Sequence, residues 1–195
     1  MCETLDGGTF RDFLHSDANF PESLSESRVD SGPLVEGRLC SAGFHTGLDT
    51  VEPALDHGSI TIYVATFDSG SEAHNTYDEV LQTQRAAVQD VPESSSVEWV
   101  FYKEDDLEGD WDAAHVFSGS SRVHEVHAYA RNETYIFGVE VQWAYDPNVY
   151  RDLKNGEPDI YEDPWLPFTV PELTEWAIEE YLPELHDAII ERASE

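Results

Sequence analysis

The chain has 195 residues, with 41 Asp and Glu against 10 Lys and Arg, which gives a formal net charge of -31. This balance leaves no basic footprint for a nucleic acid, so we expect no nucleic-acid partner. Hydrophobic residues make up 40% of the chain and aromatic residues 12%, which excludes a disordered acidic tail and predicts a folded core. The length suits one domain.

The acidic residues run through every segment, and Lys103 and Lys154 are the only two lysines. Repulsion between so many carboxylates destabilises a compact state in dilute buffer. Salt removes that repulsion, because the Debye length falls from about 10 Å at 0.1 M to about 3 Å at 1 M. The composition therefore resembles that of proteins from extreme halophiles such as haloarchaea. A DNA mimic is the alternative, but its carboxylates would gather on one face, so salt adaptation is the preferred interpretation.

The N-terminal part of the chain predicts an arm followed by two strands. Residues 1–33 are polar and are punctuated by Pro and Gly, so we expect a loosely attached arm that precedes a single domain over residues 34–195. Leu34–Cys40 is the first predicted strand. Ser59–Phe67 is a clearer one, since its alternating residues are largely apolar on both faces.

The middle of the chain predicts a helix and two further strands. Ser69 and Glu72 form a capping box, and apolar residues then recur at helical spacing until Pro92 ends the helix. Val97–Lys103 and Ala114–Ser118 are the strands.

A hairpin follows, formed by Val123–Ala130 and Thr134–Trp143 around a turn at residues 131–133. The second strand places five large apolar residues on one face, so we expect Phe137 in the core. Glu140 lies on the other face, where we expect it to matter much less for stability.

The C-terminal part predicts a loop and a helix, and completes the fold. Asp146–Pro167 is a loop rich in Pro and Asp, and a second capping box at Thr169 and Glu172 opens a helix that Pro183 should kink or break. The order of elements predicts an α+β fold: a curved antiparallel sheet of about five to six strands with helices packed on one face. Over roughly residues 55–192, this order is similar to that of PsbP-like domains of small extracytoplasmic lipoproteins. The resemblance concerns element order and carries over no functional residue.

Two patterns suggest metal ligands. His124 and His127 have the spacing of a zinc pair on a helix, but on a strand they face opposite sides. Glu125 shares a face with His127, and two ligands alone make a poor site. The predicted acidic loop, Glu104–Asp112, matches four early positions of a calcium-binding loop, but the position that needs a bidentate Glu is His115. We therefore expect a solvated acidic turn, no metal site and no cofactor.

Two loop tryptophans, Trp111 and Trp165, have acidic neighbours and predict a ligand or partner surface. Its carboxylates are Asp110 and Asp112 beside the first tryptophan, and Asp163 beside the second. The alternative is that each indole only plugs the edge of the core.

The cysteines and one sequon bear on location. Cys2 directly follows Met1, as in a lipoprotein whose mature chain begins at a lipidated cysteine, although an ordinary second residue gives the same pattern. A disulfide between Cys2 and Cys40 is left open. Asn132 begins an N-glycosylation sequon at the predicted hairpin turn. Together these features favour the outside of the cell or its surface, with the cytoplasm as the alternative.

No catalytic residue is predicted, because the chain has no G-x-S-x-G motif, phosphate loop or dinucleotide fingerprint, and carboxylates are too abundant for their pairing to be informative. The sequence thus predicts a salt-adapted, non-enzymatic binding module that takes an unknown protein or a small polar ligand, and that touches a membrane only through a lipid anchor. The alternatives are an intracellular halophile hydrolase using His and carboxylate residues, and an intracellular partner-binding protein.

Overall fold

The computed structural model describes residue 2 and residues 24–30, 32–35, 37–44, 58–89, 100–120, 123–144 and 168–193. The strands are β1 (Ser25–Arg28), β2 (Arg38–Phe44), β3 (Gly58–Thr66), β4 (Val100–Asp106), β5 (Ala113–Ser120), β6 (Val123–Asn132) and β7 (Tyr135–Ala144). Helix α1 spans Gly70–Gln89, and the C-terminal helical stretch consists of α2 (Val170–Trp176), a π-helical turn (Ala177–Tyr181) and α3 (Leu182–Ala193).

These strands form one antiparallel sheet in the order β1-β2-β3-β7-β6-β5-β4. The α+β class is confirmed, but the sheet has seven strands rather than five to six. The additional strand is β1, an edge strand whose four residues are all exposed, so its sequence offers no apolar alternation to detect. It lies inside the predicted arm at residues 1–33, and the arm's loose attachment otherwise stays a prediction.

Two predicted strands are displaced along the chain. The first strand was expected at Leu34–Cys40 and lies at Arg38–Phe44, and the strand expected at Val97–Lys103 runs from Val100 to Asp106. The first three residues of the predicted acidic loop therefore belong to β4. Pairing with β5 overrides the low β propensity of these acidic residues.

Helices cover both faces of the sheet, which corrects the prediction that they pack on one face. The C-terminal helical stretch packs against the face that carries Phe137, Val139 and Val141, whereas α1 packs against the opposite face through Tyr77 and Val80. The largely apolar alternation on both sides of β3 is the sequence signal for this second layer, because a strand with two apolar faces is covered twice.

Phe137 is fully buried, as its strand predicts. It belongs to the larger of the two apolar clusters, which joins the middle strands to α2, the π-helical turn and α3. This cluster fixes α3 against the ends of β6 and β7, and the candidate binding cleft lies at that junction.

Pro183 does not break the C-terminal helix. The capping box at Thr169 and Glu172 forms as predicted, with both reciprocal hydrogen bonds present. Just before Pro183, the backbone widens into the π-helical turn, where the N–H of Leu182 donates to the carbonyl of Ala177, five residues earlier. A proline has no N–H and crowds the preceding turn, and a π-helical turn absorbs that irregularity without ending the helix.

Candidate functional site

The candidate site is a cleft of about 390 Å³ between the β4–β5 loop and the C-terminal helical stretch, which we call the Trp111 cleft. Trp111 and Asp110, two residues of the predicted ligand surface, line it. Among the described residues, the lining consists of Glu108, Gly109, Asp110, Trp111, Ile178, Glu179, Pro183, His186 and Asp187. No pattern in the sequence indicates that residues 178–187 form the opposite wall, since only the packing of the C-terminal helical stretch brings them there.

The β4–β5 loop folds back on the Trp111 ring. The indole N–H donates to the carbonyl of Leu107 at 3.1 Å, and the backbone of Gly109 lies against the ring. A Cβ at Gly109 would come within 2.2 Å of Cζ2 of the indole, so only glycine fits there without displacing the ring. The indole is half-buried and forms a T-shaped pair with Phe137, with ring centroids 6.5 Å apart. Trp111 is therefore both a plug on the core and a rigid wall of the cleft.

Asp112, which was also predicted to face a ligand, instead ties the loop to the β6–β7 hairpin. Its Oδ2 accepts from the guanidinium of Arg131 at 3.0 Å and from the backbone N–H of Glu133 at 2.8 Å. Glu133 occupies the turn with a positive φ of 47°, a conformation that few residues other than glycine adopt. The hydrogen bond from its N–H helps to hold that turn, so Asp112 has a structural role in the loop, and its predicted contact with a ligand stays a prediction.

His186 forms the floor of the cleft and is almost completely buried. Its ring stacks on Phe137 with centroids 5.3 Å apart, and Trp111 meets it edge-on at 6.3 Å. The Nδ2 of Asn132 donates to His186 Nε2 at 2.9 Å. Nδ2 also donates to the carbonyl of Asp110 at 3.4 Å. It is the atom that would carry a glycan, so glycosylation at the sequon would remove one of its two N–H donors; modification of Asn132 stays a prediction.

The Trp111 cleft is strongly acidic. Glu108, Asp110, Glu179 and Asp187 are all exposed around it, and its described lining includes no lysine or arginine. The other half of the predicted surface, Trp165 and Asp163, lies outside the described residues, so the prediction of a shared surface stays open.

A second group of polar side chains lies between the sheet and α1, and we call it the Glu140 cluster. The Glu140 carboxylate accepts hydrogen bonds from Tyr63 at 3.0 Å, from Tyr129 and, at 3.3 Å, from Gln84 of α1. Both tyrosines lie opposite Gly138 in the sheet register. A Cβ at Gly138 would come within 2.4 Å of the Tyr129 ring, so this glycine lets the two rings converge on Glu140.

His127 completes the Glu140 cluster as a buried cation between two carboxylates. Its Nε2 lies 2.9 Å from Glu125 Oε2, and its Nδ1 lies 3.4 Å from Glu140 Oε1. Burial lowers the pKa of His127, but hydrogen bonds and charge attraction from Glu125 and Glu140 outweigh it and raise the pKa to about 9. The ring is therefore an imidazolium at neutral pH.

His124 lies on the opposite face of the sheet from His127, as strand alternation predicts. Its ring stacks on Trp143 with centroids 5.0 Å apart, and burial lowers its pKa to about 4. The two histidines cannot chelate one ion across the sheet.

The residues that resemble a calcium loop are also separated. Asp106 pairs with His115 Nδ1 at 2.7 Å and Glu104 with Arg85 at 3.0 Å, while Glu108 lines the Trp111 cleft. Within the described part of the chain, no group of three or more His, Cys, Asp or Glu residues is arranged to hold a metal ion.

Cys2 and Cys40 form a disulfide, which decides the pairing that the sequence left open. Both cysteines are buried in the larger apolar cluster. A sulfur in a disulfide cannot also carry the thioether of a lipid anchor, so lipidation of Cys2 and this bond exclude each other.

No protein-family model matches the chain, and no curated protein matches it at a significant level. Among the described helices, none combines the length and apolar character that a membrane crossing requires.

Proposed function

We propose that this protein is a salt-adapted, non-enzymatic binding module that works outside the cell, and that the Trp111 cleft is its ligand site. The observation that carries the proposal is the cleft itself, where a rigid indole, a buried histidine and four carboxylates surround about 390 Å³. Ligand sites are typically concave, with aromatic walls and a few polar groups that fix orientation.

Contacts within the protein hold the walls of the cleft in place without a ligand. The Trp111 indole is held by its hydrogen bond to Leu107 and by the Gly109 backbone, and His186 is fixed between Asn132 and Phe137. A preformed wall spares a ligand the entropic cost of ordering it. This rigidity is the second argument for a binding surface rather than an incidental groove.

The Glu140 cluster supports a binding module over the hydrolase alternative. A general base needs a carboxylate or a neutral imidazole with a pKa near the working pH. The Glu140 carboxylate instead accepts hydrogen bonds from three donors, and His127 is already charged at neutral pH. Such an arrangement stabilises the packing of α1 on the sheet and leaves no free base for catalysis within the cluster.

The disulfide supports export. Disulfides persist in oxidising compartments and are rare in the cytoplasm of most organisms, and the bond between Cys2 and Cys40 joins residue 2 to β2 within the core. We therefore propose export with the disulfide formed, rather than lipid anchoring through Cys2. Mass spectrometry of protein purified from its native source under non-reducing conditions tests this. A diacylglycerol adduct on Cys2 would replace this proposal by the lipid-anchored one, and two free thiols would point to the cytoplasm.

The ligand site is tested by a thermal-shift screen of small polar molecules in about 2 M KCl, where charge repulsion is screened. We expect a ligand that stabilises the wild type and loses its effect in the double variant Glu179→Gln with Asp187→Asn. Asp105→Asn is the matched control, because Asp105 is an exposed carboxylate on β4 outside the cleft. If every stabilising molecule acts equally on the double variant, the cleft is not the ligand site.

A further inference from the structure

We infer that the Trp111 cleft selects a small organic cation with an alkylated, apolar surface, such as a quaternary ammonium compound without a carboxylate of its own. This inference rests on the proposed function of the cleft and names its ligand class. It follows from the charge of the cleft, from its apolar walls and from the way molar salt changes the balance between them.

The charge of the cleft selects against anions. Glu108, Asp110, Glu179 and Asp187 surround it, and the structure shows no ion pair between any of these four carboxylates and another described residue. A ligand with a carboxylate or phosphate would meet like charge from both walls, and unpaired charge is a strong determinant of specificity.

Charge alone does not identify the ligand. In molar salt the Debye length is about 3 Å, and dissolved Na⁺ or K⁺ competes for every exposed carboxylate. A polyamine or a hydrated metal ion relies on long-range attraction, which this solvent removes. Contact between apolar surfaces persists, because strong salt favours burial of apolar surface.

The cleft offers such contact through three side chains, Trp111, Ile178 and Pro183. An indole also attracts a cation that lies close to its ring face, and alkylated ammonium groups suit this interaction because their charge is weakly hydrated. A ligand that rests its methyl groups on these side chains and its charge near Glu179 and Asp187 uses both properties of the cleft. The volume of about 390 Å³ exceeds what a single metal ion needs and accommodates a molecule of this kind.

The test compares choline with 3,3-dimethylbutan-1-ol, its uncharged isostere, by isothermal titration and saturation-transfer NMR in about 2 M KCl. We expect choline to bind about 3- to 30-fold more tightly than the alcohol, with its methyl protons receiving the strongest saturation transfer. Glu179→Gln with Asp187→Asn should abolish this preference, and Asp105→Asn should leave it unchanged. Trp111→Phe keeps an aromatic wall with a weaker cation interaction, so it should reduce the preference without unfolding the loop.

The outcomes separate this inference from the proposed function. Equal binding of choline and the alcohol, lost in the cleft variants, would overturn the cationic class and leave the cleft a binding site. Displacement of choline by equimolar spermine or Ca²⁺ in the same salt would also overturn it, because charge alone would then decide. If neither probe binds but another molecule from the thermal-shift screen does so through the cleft, only the ligand class fails. If no molecule depends on the cleft residues, the proposed function fails with it.

Discussion

Glu140 lies under α1 with three hydrogen-bond donors and a buried imidazolium around it. Strand alternation alone predicts only a polar side chain on the less important face of β7. The partners of Glu140 come from β3, α1 and β6, so only the long-range pairing of these elements reveals the cluster. The sequence alone predicts a small effect of Glu140 on stability, whereas these contacts predict a large one.

Glu140→Ala should destabilise the protein by about 2–4 kcal/mol, because it leaves the hydroxyls of Tyr63 and Tyr129 without an acceptor and one side of the His127 imidazolium without its carboxylate. Gln142→Ala is the matched control, since Gln142 is two residues further along β7 on the same face but exposed, and should change stability by less than about 0.5 kcal/mol. Chemical denaturation in molar salt measures both. Equal and small effects would show that the cluster contributes little to stability.

Deprotonation of His127 should lower the free energy of unfolding as the pH rises above neutral. Its folded-state pKa of about 9 lies above the unfolded value of about 6.5. The folded protein therefore binds the proton more tightly, and this contribution is fully present below about pH 6.5 and is lost as the pH rises through about 9. Between about pH 7 and 9.5 the free energy of unfolding should fall in the wild type by an amount on the order of 2 kcal/mol.

The matched variant is His127→Gln, which keeps a polar side chain between Glu125 and Glu140 but cannot titrate. Its stability should change much less over the same interval, and stopping at about pH 9.5 keeps most tyrosines of the unfolded chain protonated. A slope of the same size in wild type and variant would assign the pH dependence to other groups.

At the scale of the elements, the structure confirms the strongest patterns and also the short strand predicted at Ala114–Ser118, which lies within β5. The structure confirms three predicted features: the alternation of β7, the largely apolar faces of β3 and the capping box before α2. At these places local sequence and tertiary packing favour the same structure. The exposed edge strand β1 has no such pattern. The second helical layer was missed because a helix stripe shows which of its own faces is buried, but not which face of a sheet receives it.

The sequence predicts one wall of the candidate site but not the other. An indole among carboxylates in a loop pointed to Trp111 and Asp110, and both line the cleft. No local pattern predicts the wall formed by Glu179, His186 and Asp187, since these residues are far from the loop in sequence and reach it only through the packing of the C-terminal helical stretch. In the sequence Asp112 is equivalent to Asp110, but its carboxylate accepts hydrogen bonds from Arg131 and from the backbone N–H of Glu133 at the hairpin turn.

Phe137→Ala should destabilise the protein by about 3–5 kcal/mol, because the ring is fully buried at the centre of β7 and its removal leaves a cavity. The same change should weaken ligand binding at the Trp111 cleft, since Phe137 supports both the indole and the His186 ring. Ile190→Ala on the exposed side of α3 is the control and should cost less than about 1 kcal/mol. Equilibrium unfolding in molar salt checks the two values, and a cost for Phe137→Ala no larger than that of the control would contradict the assignment of this strand to the core.

At the scale of the whole molecule, two requirements act against each other. The interior is conventional, with apolar clusters on both faces of the sheet and a polar cluster in which one cation is shared between two carboxylates. The exterior must carry most of a net charge of -31 with few basic partners, so its electrostatic energy opposes the compact state that the interior stabilises. The solvent sets the balance between the stabilisation by the interior and the repulsion between the surface charges.

Stability should therefore depend on salt more strongly than on any single side chain. We expect a cooperative native state in molar KCl or NaCl that loosens in low-salt buffer near neutral pH, because a Debye length that shrinks from about 10 Å to about 3 Å removes most of the repulsion between exposed carboxylates. Mild acidification in low salt should restore part of the lost stability, since protonation removes the same charges and leaves the His127 imidazolium in place. The thermal midpoint followed by circular dichroism across salt and pH measures this. Equal effects of KCl and NaCl would indicate screening rather than a specific ion, whereas a midpoint that stays constant from low to molar salt would show that the acidic surface is not an adaptation to salt.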